Sequence, residues 1–256
     1  MKYTVITGAI SGIGYETAKA FANRDKNLIL AARRKDRLER LKAEILSEHP
    51  RLDVVIKTVD LSIRENIISF YESLKEYPLE TWVNNAGIGS YGSIAEQDLK
   101  WTENLLSLNI SALTILSSLF VRDYKDVEGT QLINISSCGG YTVVPNAVTY
   151  CASKFYVSAF TEGLAQELKT AHCKMAAKVL APAATETEFG KTANHVSEYD
   201  YSKRFPVYHT SAQMAEFLLK LYDSDKTVGI ADRETFEFQL TEPMLPYAGN
   251  SAFNQK

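Results

Sequence analysis

The start of the chain constrains its fold most. Tyr3-Thr4-Val5-Ile6-Thr7 reads as a strand rich in β-branched residues, and Gly8-Ala9-Ile10-Ser11-Gly12-Ile13-Gly14 follows at once. Tyr15 to Arg24 then reads as a helix, with Ala18, Phe21 and Ala22 on one face. Strand, glycine-rich turn and helix in that order make a phosphate-binding arrangement. Glycine permits positive φ and a close approach of backbone to ligand. The helix N-terminus offers free N–H groups and the positive end of a dipole to a pyrophosphate. The spacing is G-x-x-x-G-x-G, which differs from the G-x-G-x-x-G fingerprint.

The alternation continues along the chain. Leu28–Ala32 is a second strand, and Arg37–Ile45 is a helix with Leu38, Leu41 and Ile45 inward. Asp53–Val59 is a third strand, after which Asp60-Leu61-Ser62 opens another helix, with Asp60 or Ser62 suited to cap it. Thr81–Val83 is a short fourth strand running into Asn84-Asn85-Ala86-Gly87. A long helical region, Glu96–Lys125, contains Asn109. Gln131–Ile135 is a fifth strand ending in Ser136-Ser137-Cys138-Gly139-Gly140. The next helix runs from Val148 to Thr170, with Ala152, Phe155, Ala159, Phe160, Leu164 and Leu168 as its apolar positions. Ala176–Leu180 is a sixth strand followed by Pro182, Ser211–Ser224 is a helix, and Val228–Ala231 is a seventh strand.

Such alternation predicts one α/β domain, a doubly wound parallel sheet of about seven strands with helices on both faces. Ligands then gather at the carboxyl ends of the strands. Gly8–Gly14, Ala32–Arg34, Asp60, Asn84–Gly87, Ser137 and Pro182 all fall there. The segment from 183 to 209 is long for a plain loop and rich in aromatics, which predicts a lid or a binding loop. The residues from Asp232 onward carry turn formers and scattered aromatics, with no readable element.

Composition narrows the function. The 256 residues carry net charge −3, with no general attraction to nucleic acid or anionic membrane. The opening has no signal-peptide h-region. The uncharged stretch Leu105–Val121 is shorter than a span of ~20 residues and contains Asn109 and four serines, so it reads as a core helix. Cys138, Cys151 and Cys173 are odd in number and lack C-x-x-C spacing, which fits reduced thiols in the cytoplasm and no metal site.

Two clusters carry chemistry. After the second strand, Ala31-Ala32-Arg33-Arg34-Lys35 has bases where a dinucleotide site selective for NAD has an acid on the ribose 2′-hydroxyl, and so suits a 2′-phosphate. Tyr150 and Lys154 lie four apart on one helix face. A nearby ammonium lowers a phenol's pKa, and a phenol tuned in that way is a usable general acid or base.

These motifs together resemble the short-chain dehydrogenase/reductase family over about residues 1–190. Thr7-Gly8-x-x-x-Gly12-Ile13-Gly14 is similar to its cofactor loop, and Asn84-Asn85-Ala86-Gly87 to its fourth-strand motif. Asn109, Ser137, Tyr150 and Lys154 match its catalytic four, with Ser137 thirteen residues before Tyr150. Pro182–Thr187 resembles its nicotinamide-carboxamide segment, with Ala183 in place of glycine.

The resemblance implies a Rossmann-fold oxidoreductase that uses NADP(H) on a small-molecule carbonyl or alcohol. Tyr150 would be the general acid, and Lys154 would lower its pKa and bond the nicotinamide ribose. Ser137 would donate to the carbonyl oxygen, and Asn109 would hold a water in a proton relay. Cofactor contacts would come from Gly8, Ser11, Gly12, Ile13, Gly14, Arg33, Arg34, Asp60, Leu61, Asn85, Ala86, Gly87, Tyr150, Lys154, Pro182, Thr185 and Thr187. Candidate substrate walls are Tyr91, Tyr141 and Phe189, beside Ser137 and Tyr150. Family members commonly pair the two long helices across a two-fold axis, which implies a homodimer or homotetramer. A sugar-nucleotide epimerase or dehydratase, or a catalytically silent dinucleotide-binding regulator, is the alternative; the intact residue set and the modest chain length argue against both.

Overall fold

The computed structural model describes residues 2–249 and 251. Strands β1 (Tyr3–Thr7), β2 (Asn27–Ala32), β3 (Val54–Thr58), β4 (Leu79–Asn84), β5 (Gln131–Ile135), β6 (Ala176–Ala181), β9 (Val228–Ala231) and β10 (Phe238–Thr241) form one sheet in the order β10-β9-β6-β5-β4-β1-β2-β3. All neighbours are parallel except β10, which runs antiparallel to β9. The sheet therefore has eight strands, close to the expected seven or so. The additional one comes from the segment after Asp232, whose alternation is too weak to read: Phe238 and Thr241 are half-buried, while Gln239 and Leu240 are exposed. The last residues of that tail lie outside the described residues.

Helices α1 (Gly12–Ala22), α2 (Lys35–Glu48), α3 (Arg64–Glu72), α4 (Leu99–Leu106), α5 (Leu113–Tyr124), α6 (Val148–Thr170) and α8 (Ser211–Asp223) cover the sheet. One buried cluster includes Phe70, Trp82, Leu116 and Phe120; another, across the sheet, includes Phe21, Leu30, Leu38 and Leu218. The order of strands reverses at β1, which lies between β2 and β4. A crevice at the carboxyl ends of β1 and β4 follows from that reversal. The 183–209 segment holds a short helix, α7 (Phe189–Asn194), and a two-stranded pair, β7 (Thr185–Glu186) with β8 (His209–Thr210). Asp60 caps a turn by accepting from Ser62, and α3 begins only at Arg64 with Ile63 at its N-cap.

The region 96–125 is not one regular helix. Asp98 caps α4 by accepting from Lys100 N and Trp101 N. The helix then widens into a π-helical turn over Ser107–Ala112 before α5 resumes. Such bulges gather at functional sites, and Asn109 sits in this one. The helical stretch Leu99–Tyr124 is long and apolar enough to cross a membrane by composition alone. In the fold its inner side packs on β4, β5 and α6.

Helix α6 has the expected bounds but presents an unexpected face. Ala152 and Ala159 are exposed, while Tyr150, Ser153, Lys154, Ser158, Thr161 and Glu162 are buried. Most of the inner positions are taken by polar groups that bond to the sheet and its loops, beside the apolar Cys151, Val157 and Leu168. Asn84, at the end of β4, accepts from Trp82 Nε1 (2.7 Å) and donates to Ser117 (3.0 Å) and Asn134 (2.9 Å). Asn134 donates in turn to Thr161 Oγ1 at 2.9 Å, and Thr161 donates to the Val157 carbonyl. This chain of bonds sets the rotation of α6 about its axis, and with it the aim of Tyr150 and Lys154.

Replacing Asn134 by leucine leaves an Asn84 amide hydrogen and the Thr161 hydroxyl oxygen short of a buried partner. Such losses cost about 1–3 kcal/mol, or a fall in Tm of roughly 2–12 °C for a domain of this size. Calorimetry on Asn134→Leu checks this, and an unchanged Tm would show that the network carries no stability.

Candidate active site

The site is assembled around the carboxyl ends of β1, β4 and β5. Gly8 (φ +66°) and Gly12 (φ +53°) have the left-handed backbone that glycine favours. A Cβ on Gly14 would lie 2.3 Å from Asn85 Nδ2 and 2.4 Å from the Gly8 carbonyl oxygen, so only glycine lets α1 start this close to the turn. Asn85 holds the turn by donating to the carbonyls of Thr7 (2.9 Å) and Gly8 (3.1 Å), while Thr7 Oγ1 accepts from the backbone N–H of Asn85 and of Ala86. Ser11, at the N-cap of α1, makes no side-chain cap bond. The N–H groups of the first turn thus lack a side-chain acceptor, as an anion site requires. Ile13 turns inward, against the cluster of Ala183, Met214 and Ala231. This cradle fits a dinucleotide pyrophosphate.

At the next strand end, Leu61 buries its side chain in the core and Asp60 is engaged with Ser62. Beyond β2, Arg33 is exposed and, among the described residues, makes no ion pair, whereas Arg34 and Arg37 both bond Glu188. Sequence reasoning missed Arg37 and Glu188. Arg37 looks like an ordinary helix-surface base, and Glu188 is 151 positions away from it.

Lys154 is buried at the end of β5. Its ammonium donates to the Ile135 carbonyl at 2.9 Å and lies 5.9 Å from the Tyr150 ring centroid. A Cβ built on Gly87 would be 3.5 Å from Lys154 Nζ and 3.2 Å from Asn109 Oδ1. Asn109 clamps two elements: its oxygen accepts from Ile88 N, and its amide donates to Ile88 O (2.9 Å) and Ser153 Oγ (3.1 Å). The Ser137 hydroxyl accepts from Gly139 N at 3.0 Å. A Cβ on Gly139 would lie 3.4 Å from Ser137 Oγ and 3.8 Å from Tyr150 Cε1, so serine and tyrosine meet over that glycine. Burial pushes the Tyr150 phenol well above its ordinary pKa, and the neighbouring Ser137 hydroxyl opposes the shift. Burial pulls Lys154 down to about 8.

Two of the residues named as candidate walls lie beside Tyr150. The Phe189 ring lies 5.3 Å from that of Tyr150, and the Tyr91 ring 6.4 Å. Tyr141 is not a wall. Its hydroxyl reaches Glu162 at 2.5 Å, three turns along α6 from Tyr150. Glu162 also accepts from the backbone N–H of Met244 and Leu245, so Tyr141 helps seat the tail. A buried carboxylate with room for three donors pulls the phenol there, and this contact across the fold has no local sequence signal. Cys138 N donates to the Pro182 carbonyl at 2.8 Å, and Thr185 Oγ1 to the Ala183 carbonyl at 2.9 Å. Ala183 has no left-handed φ, so alanine stands where the family has glycine without backbone strain. Thr187 Oγ1 accepts from Phe189 N, and its methyl packs against Gly12.

The low pKa of Lys154 gives a prediction. With a folded value of about 8 against 10.5, this lysine binds fewer protons in the folded chain between those pH values. Its burial therefore costs stability in full below pH 8, and the cost fades as pH rises toward 10.5. Lys154→Met should raise the neutral-pH stability of the free chain by about 1–3 kcal/mol, or roughly 2–12 °C in Tm. The gain should vanish near pH 10. A variant that is less stable at pH 7 would contradict it.

A family model described as short chain dehydrogenase matches residues 2–198. A human protein named dehydrogenase/reductase SDR family member 11 is 30% identical over 194 residues, covering 73% of this chain and 75% of its own length. A short-chain dehydrogenase from Sphingobium yanoikuyae in complex with NADPH superposes with a TM-score of 0.82 at 27% identity, over 99% of this chain and 92% of that one. An alcohol dehydrogenase from the archaeon Thermococcus sibiricus, complexed with 5-hydroxy-NADP, reaches 0.79 at 25% identity, over 93% and 98%.

Proposed function

Because the chain belongs to the short-chain dehydrogenase family, we propose that it is an NADP(H)-dependent oxidoreductase that interconverts a carbonyl and an alcohol, with Tyr150 as its general acid and base. The observation that carries this reading is the meeting of Ser137 and Tyr150 over Gly139, with the Lys154 ammonium behind the ring. NADPH, when bound, supplies the hydride. Basic residues at the end of β2, Arg33 and Arg34 among them, suit the 2′-phosphate, and the glycine cradle suits the pyrophosphate.

The remaining steps belong to the chain's own groups. Ser137 Oγ already accepts from Gly139 N, so its proton is free to donate to a carbonyl oxygen, where charge develops. Burial keeps the Tyr150 phenol neutral at physiological pH, and the proton it must give is therefore present. The Lys154 ammonium stabilises the phenolate left behind. Asn109 fixes Ile88 and Ser153, and so holds the loop after β4 at its distance from α6. Tyr91 and Phe189 flank Tyr150, which favours an apolar or aromatic carbonyl compound.

Tyr150→Phe keeps the ring and removes the proton. It should lower kcat by roughly 10²–10⁴-fold with NADPH affinity unchanged. NADPH oxidation against a panel of aldehydes, ketones, diketones and 3-oxoacyl thioesters provides the measurement. In the wild type, reduction should weaken as pH rises past about 8, where Lys154 loses its charge. Near wild-type reduction by Tyr150→Phe would refute the role.

We also propose a closed homodimer or homotetramer built on α5 and α6. Ala152, Tyr156, Ala159 and Gly163 line an exposed face of α6. The Tyr156 hydroxyl lies 2.8 Å from Thr114 Oγ1, which joins the two helices into one surface. Symmetric association is the usual outcome for such surfaces. Light scattering at micromolar concentration should give two or four times 28.6 kDa; a monomer mass would exclude the assembly.

A further inference from the structure

The arginines beyond β2 already hold an anion. Arg34 Nη2 donates to Glu188 Oε2 at 3.1 Å, and Arg37 Nη1 donates to Glu188 Oε1 at 2.7 Å. The two bases flank the first turn of α2, while Glu188 precedes α7. One residue earlier, Thr187 closes on the glycine turn: a Cβ at Gly12 would lie 2.8 Å from Thr187 Cγ2. The segment 185–188 therefore crosses from the end of β6, over the pyrophosphate cradle, to the basic cluster. There one carboxylate takes a donor from each of two guanidinium groups, as a phosphate also would. Arg37 and then Arg34 hold Glu188 below the usual carboxylate range, so it is ionised at neutral pH.

Resting on the NADP(H) reading above, we propose that Glu188 occupies the 2′-phosphate site of the free chain and competes with the cofactor for Arg34 and Arg37. Glu188 thereby becomes a residue that sets dinucleotide specificity from across the cleft. Two like charges cannot share the same pair of guanidinium groups at full strength, so the cofactor phosphate displaces the carboxylate. NADH lacks that phosphate and leaves the ion pairs intact. Glu188 is followed at once by Phe189, whose ring packs on Tyr150. Displacement of the carboxylate thus frees the base of the segment that walls the proposed substrate pocket, and couples cofactor type to pocket shape.

Equilibrium binding of NADPH and of NADH, read by nicotinamide fluorescence, tests this on wild type, Glu188→Gln, Arg37→Ala and the double variant. Wild type should prefer NADPH. Glu188→Gln should tighten NADPH by roughly two- to thirtyfold, the strength of two half-exposed ion pairs, and leave NADH unchanged. Arg37→Ala should weaken NADPH alone, and the gain from Glu188→Gln should shrink in its background because the two changes share one contact. Weaker binding of both cofactors by Glu188→Gln would make Glu188 a latch over the dinucleotide and overturn the competition. Equal tightening of both, or no change, would overturn it as well. Equal affinities for NADPH and NADH already in the wild type would remove the phosphate site itself and the competition with it.

Discussion

A buried ammonium organises this molecule. Lys154 is 7% exposed and donates to the Ile135 carbonyl at the tip of β5. An ammonium taken out of water is costly, and its neighbours must hold it in place. Ser136 bonds the Lys154 carbonyl, Asn109 bonds Ser153 beside it, and the Asn84–Asn134–Thr161 chain fixes the same helix two turns further on. Much of the inner face of α6 is polar for that reason, with Cys151, Val157 and Leu168 as its buried apolar members. Ala152, Tyr156, Ala159 and Gly163 are left on the outside, where the proposed partner subunit would cover them.

The same constraint explains the break in the long helix before β5. A regular helix from Leu99 to Tyr124 would rotate Asn109 to one fixed setting. The π-helical turn moves it to where one amide can bond both directions of the Ile88 backbone and still reach Ser153. The widened turn and the buried lysine serve one arrangement, in which β4, β5 and α6 present their ends to a single point.

The cleft is held from both sides. On the β1 side Asn85 and Thr7 clamp the glycine turn. On the other side Thr187 and Glu188 reach over it to Gly12 and the arginines. The first clamp is made of partly buried neutral hydrogen bonds within the turn. The second is made of half-exposed charges, which water and salt weaken, and it belongs to a segment with little regular structure of its own. A hydrogen-bonded cradle beside a releasable strap is suited to a cofactor that must enter and leave.

Most of the sheet was legible in the sequence because its central parallel strands are buried on both faces and read as apolar runs. The glycine turn was legible because its backbone requires glycine, and the Tyr150–Lys154 pair because residues four apart share a helix face; the Asn84–Gly87 loop and Ser137 were legible only through their resemblance to the family's motifs. Tyr91 and Phe189 could be named as walls because they follow strand ends. Contacts between elements remote in sequence were not legible. Whether Tyr141 faces the substrate or Glu162, and whether Arg34 stands free or holds Glu188, depends on which surfaces the fold brings within about 3 Å, the reach of a hydrogen bond. The inward face of α6 was misread for a related reason. Periodicity finds apolar positions, but only the packed structure shows that polar groups take most of the interior of this helix. The sequence by itself determined the strand order's raw material, the glycine cradle and the side chains proposed to react. Tertiary structure alone decided which charges meet, because ion pairs and buried networks leave no periodic trace along the chain.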